Sequence, residues 1–280
     1  MMNLMQSISG SAWVAGFKTV PCTDSKCTRW LTQRHLSSRS VGVRMLDKWY
    51  CSYSCFATAA AERFSQLLTS RPPQVNRLSR MPLALILLSR GLLTHVQLKQ
   101  VTDEQKLTGE EIGEIFMRLG FVSEKDVTAA RATQWGCPVF SVPSRLLGPR
   151  IHIPSTLMRL HSMTPLHHVA STNSLLVGFV NGVEYGPLYA IEQITGCKTQ
   201  ACFITPTEFE AQMQQYNQAG APPEELTFEQ AQSPVKMTRV LCDYGVLLNA
   251  DQAVLARAGN TLWARLKSSS RTTDILFNAG

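Results

Sequence analysis

One pattern of apolar and polar positions occurs twice in the first half of the chain. In each copy, apolar residues recur at helical spacing up to a glycine, and a second helical pattern follows. The copies are Pro82–Gln105 and Glu111–Gln134, separated by five residues. Gly91 and Gly120 occupy equivalent positions, where a helix ends most easily with a left-handed residue. Fixed-period repetition indicates one unit used twice, so the pattern predicts two copies of helix, glycine turn, helix.

Helix-capping signals support these predicted helices. Thr94 begins Thr-x-x-Gln and Ser123 begins the weaker Ser-x-x-Asp, each just after the glycine turn. Thr108 begins Thr-x-x-Glu at the entrance to the second copy. At a helix start, such a hydroxyl accepts a hydrogen bond from the backbone N–H group three residues later, which would otherwise lack a partner. We therefore expect helices to begin after Thr94, Thr108 and Ser123.

The pattern after the repeat predicts a small sheet with flanking helices. Apolar runs alternate with turn residues, and Pro or acidic residues open the helical stretches. The predicted elements are a helix at Pro154–Leu160, strands at Pro165–Val169 and Leu175–Val180, a helix at Gly186–Thr195, a strand at Lys198–Ile204 and a helix at Thr207–Tyr216. This order favours the α+β class.

The two ends of the chain carry further patterns. A helix is predicted at Val235–Leu248, and a hairpin turns at Gly259-Asn260. The tail either adds to the sheet or forms a separate small module. Proline-rich polar stretches read as linkers. The predicted division is an N-terminal module at 1–68, a linker at 69–79, the tandem repeat and sheet at 80–217, a linker at 218–234 and a C-terminal helix plus hairpin at 235–280.

Four cysteines near the start of the chain form two close pairs. Their spacing is C-x4-C, then 23 residues, then C-x3-C. Two thiol pairs joined by a short segment are what a tetrahedral structural zinc ion requires. A strongly helical stretch follows the second pair, and a helix start favours thiolate. We predict one structural Zn²⁺ per chain, without an open position for catalysis, held by Cys22, Cys27, Cys51 and Cys55.

The second pair lies in the phrase WYCSYSCF at Trp49–Phe56. This phrase resembles the second knuckle of small treble-clef or TRASH-like zinc modules, although the first pair departs from their usual C-x2-C spacing. Four unrelated buried thiols are the alternative to a zinc site. His35 lies between the pairs and is a substitute ligand, although a surface position is the simpler interpretation.

Charge is concentrated in the same part of the chain. The chain has a net charge of +7, whereas residues 1–80 hold eleven Lys and Arg against three acidic residues. Such a basic segment is typical of proteins that bind nucleic acid or an acidic partner. The other interpretation is a solvated, partly flexible arm without a binding role. No apolar run approaches the ~18 residues of a membrane span. Since the N-terminus also lacks signal-peptide features, we expect a cytoplasmic protein with reduced thiols and no membrane insertion.

The tandem resembles the N-terminal domain of type II secretion and type IV pilus assembly ATPases, the GspE N-terminal or MshEN family. Each family motif opens with Arg-Leu-Gly, continues to a glycine followed by two aliphatic residues, and closes with glutamine. Here both glycines, Gln97-Leu98 and the closing glutamines match, and the resemblance continues to about Tyr216. It covers about half of the chain. It implies a domain that docks between an ATPase and a membrane assembly component, and that can bind cyclic di-GMP.

The resemblance also implies candidate nucleotide-binding residues. These are Leu83, Gln105, Ile112, Gly113 and Gln134. Pro82 and Glu111 stand where the family motifs open with arginine. Pro82 lacks the cation that pairs with phosphate or guanine. The carboxylate of Glu111 repels phosphate, and its better use is as a helix cap.

Catalytic motifs are missing from the sequence. It has no Gly-Lys pair and hence no Walker A loop, so we expect no ATP hydrolysis. It also has no G-x-S-x-G or H-E-x-x-H motif. We therefore expect a non-catalytic interaction or regulatory protein that works through a protein partner; a secretion or pilus assembly component is the partner that the resemblance implies. The alternative is a zinc-containing nucleic-acid-binding protein that uses the basic first 80 residues.

Overall fold

The protein forms two compact units, each with its own core. The structure is a computed structural model that describes residues 13–14, 17–32, 42–70, 80–141, 151–218, 224–229 and 233–279. One unit joins Met1–Pro72 with Pro223–Gly280, and the other is Pro73–Pro222. Helices and strands are both abundant, so the predicted α+β class is confirmed. Within the described ranges, no helix combines the length and apolar content needed to cross a bilayer.

Helices occur in both units. In chain order they are α1 (Tyr53–Thr69), α2 (Leu83–Ser89), α3 (His95–Thr108), α4 (Ile112–Arg118), α5 (Glu124–Trp135), α6 (Ser155–Leu160), α7 (Tyr185–Thr195), α8 (Pro206–Gln218) and α9 (Pro234–Leu247).

Strands are short near the N-terminus and longer towards the C-terminus. In chain order they are β1 (Trp13–Val14), β2 (Phe17–Pro21), β3 (Trp30–Thr32), β4 (Val43–Met45), β5 (Lys48–Tyr50), β6 (Met163–Val169), β7 (Ser174–Phe179), β8 (Lys198–Phe203), β9 (Glu224–Phe228), β10 (Gln252–Ala258), β11 (Thr261–Lys267) and β12 (Thr272–Asn278).

The main sheet of the first unit draws strands from both ends of the chain. Its order is β5-β4-β10-β11-β12-β9. Strand β4 runs parallel to β10, with Arg44 opposite Gln252. The predicted C-terminal hairpin is present, with Ala258 opposite Thr261 across the turn. The tail therefore pairs with strands of the N-terminal segment, and neither predicted alternative, the small sheet after the tandem or a separate module, describes it.

Helices α1 and α9 pack against each other, and their apolar residues share one core with this sheet. Phe56 and Phe64 on α1 and Leu241 on α9 are fully buried. The ring of Phe64 meets that of Phe277 edge-on, with 5.6 Å between centroids. This core holds the N-terminal helix and the C-terminal strands together.

The stretch 218–234, predicted as a linker, contains strand β9. It pairs parallel with β12, and Leu226 lies opposite Ile275. Leu226 and Phe228 are partly buried against the core, and Phe228 stacks on Phe277 with 5.3 Å between ring centroids. The neighbouring prolines and glutamines masked this short alternation, and the edge of β12 supplies the hydrogen-bond partners that a strand needs.

A buried charged pair lies within the same sheet, where Arg265 on β11 faces Asp274 on β12. Nε and Nη2 of Arg265 each donate to a different carboxylate oxygen of Asp274 at 2.8 Å. The indole N–H of Trp263 donates to the same carboxylate at 2.7 Å. The carboxylate therefore accepts from three donors, as a buried charge requires.

The tandem repeat of the second unit has its predicted helices α2 to α5. Gly91 and Gly120 end the first helix of each copy in the left-handed region, with φ of 70° and 69°. The capping box at Thr94 is complete, and the hydroxyl of Ser123 accepts from the N–H of Asp126 at 3.2 Å. These predictions are confirmed.

The capping box predicted at Thr108 is wrong. Thr108 is the last residue of α3, and Gly109 caps that helix with φ of 71°. Glu111 caps α4 instead, because its carboxylate accepts from the N–H of Gly113 at 3.1 Å. A glycine directly after Thr108 ends the preceding helix more effectively than the hydroxyl starts the next one.

The helices of each copy pack mainly on helices of the other copy. Helix α2 of the first copy packs on α5 of the second, and α3 packs on α4. Their shared core includes Leu87, Val101, Ile115 and Phe116, all fully buried. Each copy thus completes its core only with the other.

The predicted small sheet follows the tandem in the same unit. Its order is β6-β7-β8, with β6 and β7 antiparallel and β7 and β8 parallel. Asn173 turns the hairpin with φ of 48°. Helices α6 and α7 contact β6 and β8 respectively, and α8 contacts β6.

Candidate metal centre and the tandem-motif residues

The four predicted metal ligands come together in the first unit. The sulfur atoms of Cys22, Cys27, Cys51 and Cys55 all lie within 4.8 Å of one another. The sulfur of Cys51 is 3.6 Å from that of Cys27 and 3.7 Å from that of Cys55. A tetrahedron with Zn–S bonds of about 2.3 Å has edges of about 3.8 Å, so these separations suit one shared ion. They far exceed the ~2.05 Å of a disulfide bond, and all four thiols are free.

A hairpin loop presents the first pair. Cys22 directly follows β2, and Cys27 lies in the loop that leads to β3. The N–H of Cys27 donates to the carbonyl of Asp24 at 3.0 Å, which closes a tight turn. The N–H of Thr23 donates to the carbonyl of Trp49 at 2.8 Å. This hydrogen bond holds the loop beside the second pair.

A helix start presents the second pair. Cys51 directly follows β5, and Cys55 lies in the first turn of α1, as predicted. Ser52 caps the helix, since its hydroxyl accepts from the N–H of Cys55 at 3.3 Å. The β4–β5 turn has Leu46 and Asp47 in the left-handed region, with φ of 50° and 60°. Together these elements fix the distance between the two sulfur atoms.

Hydrogen bonds and burial shift the pKa values of three of the four thiols, in different directions. The N–H of Cys51 points at the sulfur of Cys22 at 3.4 Å. A backbone hydrogen bond from Arg29 lowers the pKa of Cys27, whereas burial raises the pKa of Cys51. For Cys55, a hydrogen bond with Ser52 lowers the pKa, but burial and the other thiols outweigh it and raise the pKa to about 12. The helix start alone does not make this thiol ionise, and a metal ion would, because coordination deprotonates a thiol.

Among the residues that the structure describes, these cysteines are the one group of three or more Cys, His or acidic side chains placed to hold a metal ion. Four sulfur ligands leave no open coordination position, which is the arrangement of a structural site. His35, the predicted substitute ligand, lies outside the described residues. The cluster can therefore hold a metal ion with its four cysteines alone.

Tyr53, between Cys51 and Cys55, connects the cluster to the C-terminal segment. Its hydroxyl donates to the carbonyl of Ala250 at 2.7 Å, and burial raises its pKa. Its ring also lies over Gly245 of α9, where an added Cβ would be 2.2 Å from the ring. The start of α1 is thereby packed against the tail of the chain.

In the tandem, Glu111 has an internal partner. Besides capping α4, its carboxylate pairs with the guanidinium of Arg131, whose side chain is 2% exposed. Arg131 also donates to the carbonyl of Val180 at 3.1 Å. Nothing in the sequence pointed to Arg131, because its partners are the residue that caps α4 and the residue that follows β7.

The predicted nucleotide-site residues near this pair are closely packed. Leu83 is buried, Ile112 is half-buried and Gly113 is buried. A Cβ on Gly113 would lie 2.8 Å from Oε2 of Glu111 and 2.9 Å from Nη2 of Arg131. The ion pair therefore fills the space beside Gly113, and the nucleotide role of these residues stays a prediction.

The two closing glutamines have equivalent internal contacts. The side-chain amide of Gln105 donates to the carbonyl of Glu110 at 3.3 Å, and that of Gln134 donates to the carbonyl of Met81 at 2.8 Å. Glu110 and Met81 each directly precede the opening residue of a copy. Each glutamine therefore ties the end of its own copy to the start of the other. This structural role is an alternative to ligand binding.

A cavity of about 370 Å³ opens elsewhere in the second unit. Its lining includes Trp135, His161 and Glu184. Nδ1 of His161 lies 2.8 Å from a carboxylate oxygen of Glu184, and the guanidinium of Arg80 lies 3.5 Å from the ring centroid of Trp135. Sequence reasoning missed this group, since its members lie just outside the predicted elements and far apart in the chain.

No protein-family model matches the sequence, and no curated protein matches it. Solved structures do match about half of the chain. MshE with cdg is 20% identical over 49% of this chain and 99% of that chain, with a TM-score of 0.40. The N-terminal domain of XpsE is 17% identical over 47% of this chain and 91% of that chain, with a TM-score of 0.38. A second crystal form of that domain is 16% identical over 52% of this chain and 98% of that chain, with a TM-score of 0.30.

Proposed function

We propose that this chain is a non-catalytic interaction protein whose first unit is stabilised by one structural zinc ion. The observation that carries the proposal is the convergence of four cysteine sulfurs within 4.8 Å of one another. Thiolates are soft ligands that select zinc among the common divalent ions of a reducing compartment. With all four positions filled by protein, the ion would activate no water and bind no substrate.

The ion would cross-link three segments that a shared core and backbone hydrogen bonds already bring together. Cys22 and Cys27 belong to the β2–β3 loop, Cys51 follows β5, and Cys55 opens α1. The strands beside the ligands are short, and metal binding would add folding energy where they meet. Function would then come from the surfaces that this fixed unit presents to partners.

The proposed role of the second unit is protein docking. The resemblance of its tandem motif to secretion and pilus ATPase domains supports a secretion or pilus assembly component as the partner, in the cytoplasm. Cyclic di-GMP is the small ligand that the same resemblance implies. Three features oppose it: Pro82 offers no cation, Glu111 presents a carboxylate, and that carboxylate is already paired with Arg131.

Elemental analysis of freshly purified full-length protein tests the zinc proposal. We expect one zinc per chain in the native protein and in a Cys242→Ser control, whose thiol lies outside the cluster. Cys51→Ser should lose most of the zinc, because three thiolates and a hydroxyl bind it less tightly. Native protein without zinc would refute the site.

Calorimetric titration with cyclic di-GMP tests the ligand, with cyclic di-AMP and GTP as controls. Saturable heat for cyclic di-GMP alone assigns a sensing role to the second unit. No heat from any of the three leaves the docking role.

Nucleic-acid binding is the second candidate function. It is favoured by four exposed cations in the segments that carry or precede the cysteines, at Lys26, Arg29, Arg44 and Lys48. None of the four takes part in an ion pair with another described residue. Unpaired cations on one module attract polyanions.

A further inference from the structure

The cavity beside Trp135 in the second unit is formed where three helices begin or end. Its volume is about 370 Å³. Trp135 is the last residue of α5, His161 directly follows α6, and Glu184 directly precedes α7. The loop between β7 and α7 supplies much of the remaining wall. Residues from distant parts of the chain therefore meet around one enclosed space.

Glu184 brings a carboxylate to the wall of this cavity. It occupies the N-cap position of α7, yet its side chain makes no capping hydrogen bond. One carboxylate oxygen lies instead 2.8 Å from Nδ1 of His161. The other oxygen has no hydrogen-bond partner among the described residues, and the side chain is 53% exposed. The wall therefore offers a carboxylate oxygen to a hydrogen-bond donor.

His161 holds this carboxylate without cancelling its charge. The imidazole is buried, and its Nε2 has no hydrogen-bond partner among the residues that the structure describes. A proton on Nε2 would be buried without an acceptor, which costs free energy. The ring proton therefore belongs on Nδ1, where it donates to Glu184. The start of α7 also favours negative charge, so Glu184 stays ionised.

The rest of the wall is apolar or uncharged. Leu160, Val183 and the ring of Trp135 supply apolar surface. Asn181 and Ser162 supply an amide and a hydroxyl, whose side chains make no hydrogen bond to another described residue. Polar groups without partners therefore lie beside apolar surface, as in a small-molecule site.

The two neighbouring arginines are engaged elsewhere. The guanidinium of Arg80 lies 3.5 Å from the ring centroid of Trp135, and Arg80 is not one of the residues that line the cavity. Arg159, two residues before His161, lies 4.0 Å from the carboxylate of Glu210. With a neutral imidazole, the carboxylate is the one ion among the lining residues.

We propose that this cavity binds a small amine, with its ammonium group on Glu184 and its apolar body against Trp135 and Leu160. An ammonium donates charge-assisted hydrogen bonds to a carboxylate, and the apolar body gains free energy by leaving water. A ligand with a carboxylate of its own would be repelled by Glu184. The proposal depends neither on the zinc centre nor on a docking partner.

Isothermal titration calorimetry of the full-length protein, in an amine-free buffer, tests the proposal with ligands of similar shape. Phenethylamine should bind about tenfold or more tightly than 2-phenylethanol and phenylacetate, because only the amine donates a charged hydrogen bond to Glu184. Ethylamine, which lacks the ring, should bind about tenfold or more weakly than phenethylamine, because it buries less apolar surface.

Two charge-matched variants separate the site from a general charge effect. Glu184→Gln should weaken phenethylamine binding about tenfold or more, because it removes the charge but keeps an acceptor for His161. It should leave 2-phenylethanol binding within about twofold, since that ligand has no charge. Glu114→Gln makes the same charge change at an exposed residue of α4 outside the cavity wall. This control should leave phenethylamine binding within about twofold, since screening limits a distant charge.

Four results would overturn the inference. They are the absence of heat with phenethylamine at about 10 mM, equal affinity for the amine and the alcohol, tighter binding of phenylacetate, and equal losses in Glu184→Gln and Glu114→Gln. A lysine side chain carries the same ammonium group, so the tripeptide acetyl-Gly-Lys-Gly-amide is titrated as well. Tighter binding of this peptide than of phenethylamine would overturn the small-molecule source, and a lysine of a protein partner would replace it.

Discussion

The buried carboxylate of Asp274 offers a sharp test of what holds the first unit together. It accepts two hydrogen bonds from Arg265 and one from Trp263, and its own side chain is fully buried. Asp274→Asn keeps the shape and one acceptor but removes the charge. Arg265 would then lose the carboxylate to which it donates two hydrogen bonds.

The expected loss follows from breaking that buried pair. Removing one partner of a buried ion pair costs about 3–5 kcal/mol of unfolding free energy. Asp274→Ala should cost about 1–3 kcal/mol more, because the indole N–H of Trp263 also loses its acceptor. The double change Asp274→Leu with Arg265→Met should recover most of the loss, since apolar replacements of a buried pair are often neutral.

Urea unfolding of the full-length protein, followed by circular dichroism with zinc retained, measures these differences. The control is Asp243→Asn, which breaks the exposed pair with Arg239, separated by 3.9 Å. An exposed pair contributes little, so the control should change stability by less than about 1 kcal/mol. Equal effects of Asp274→Asn and Asp243→Asn would refute the reasoning, as would a double variant no more stable than Asp274→Asn.

Three further changes test the packing, each by chemical unfolding of the full chain. Gly245→Ala should destabilise by about 1–3 kcal/mol, because its Cβ would lie 2.2 Å from the ring of Tyr53; a gain, as helix propensity alone predicts, would contradict this. Gly120→Ala should cost about 1 kcal/mol through its φ of 69° alone, since the space around it is open; no cost would mean that the turn relaxes. Glu111→Gln should cost about 1–2 kcal/mol by leaving Arg131 without its counterion, discounted because Glu111 is itself partly exposed; an unchanged midpoint would show that water compensates Arg131.

Local signals predicted much of the fold. The glycines and caps of the tandem lie within one turn of the helices that they end or start, so the sequence shows both partners together. The hairpin at Gly259 is equally local. Thr108 misled because two local signals competed, and Gly109 prevailed by ending α3 there.

Distant pairings could not be predicted in the same way. Arg44 lies beside Gln252 in the sheet, and no periodicity links residues so far apart in the chain. Strand β9 was missed for a related reason, because only the edge of β12 makes its short alternation a strand. The sequence therefore showed two end segments where the structure has one sheet.

The same contrast between local signals and distant partners applies to the candidate site. Cysteine spacing predicted the cluster, since thiolate coordination restricts four residues to a few arrangements that are visible in sequence. Arg131 stayed hidden because its carboxylate and carbonyl partners lie on other elements.

The structure links the metal centre to the sheet through one residue. Tyr53 lies between two ligands, donates to the carbonyl of Ala250 just before β10, and packs over Gly245 of α9. An ion that fixes the start of α1 would therefore also fix the ring against which the tail packs. The tandem has its own caps and its own core. Zinc would thus stabilise the first unit, to which all four of its ligands belong.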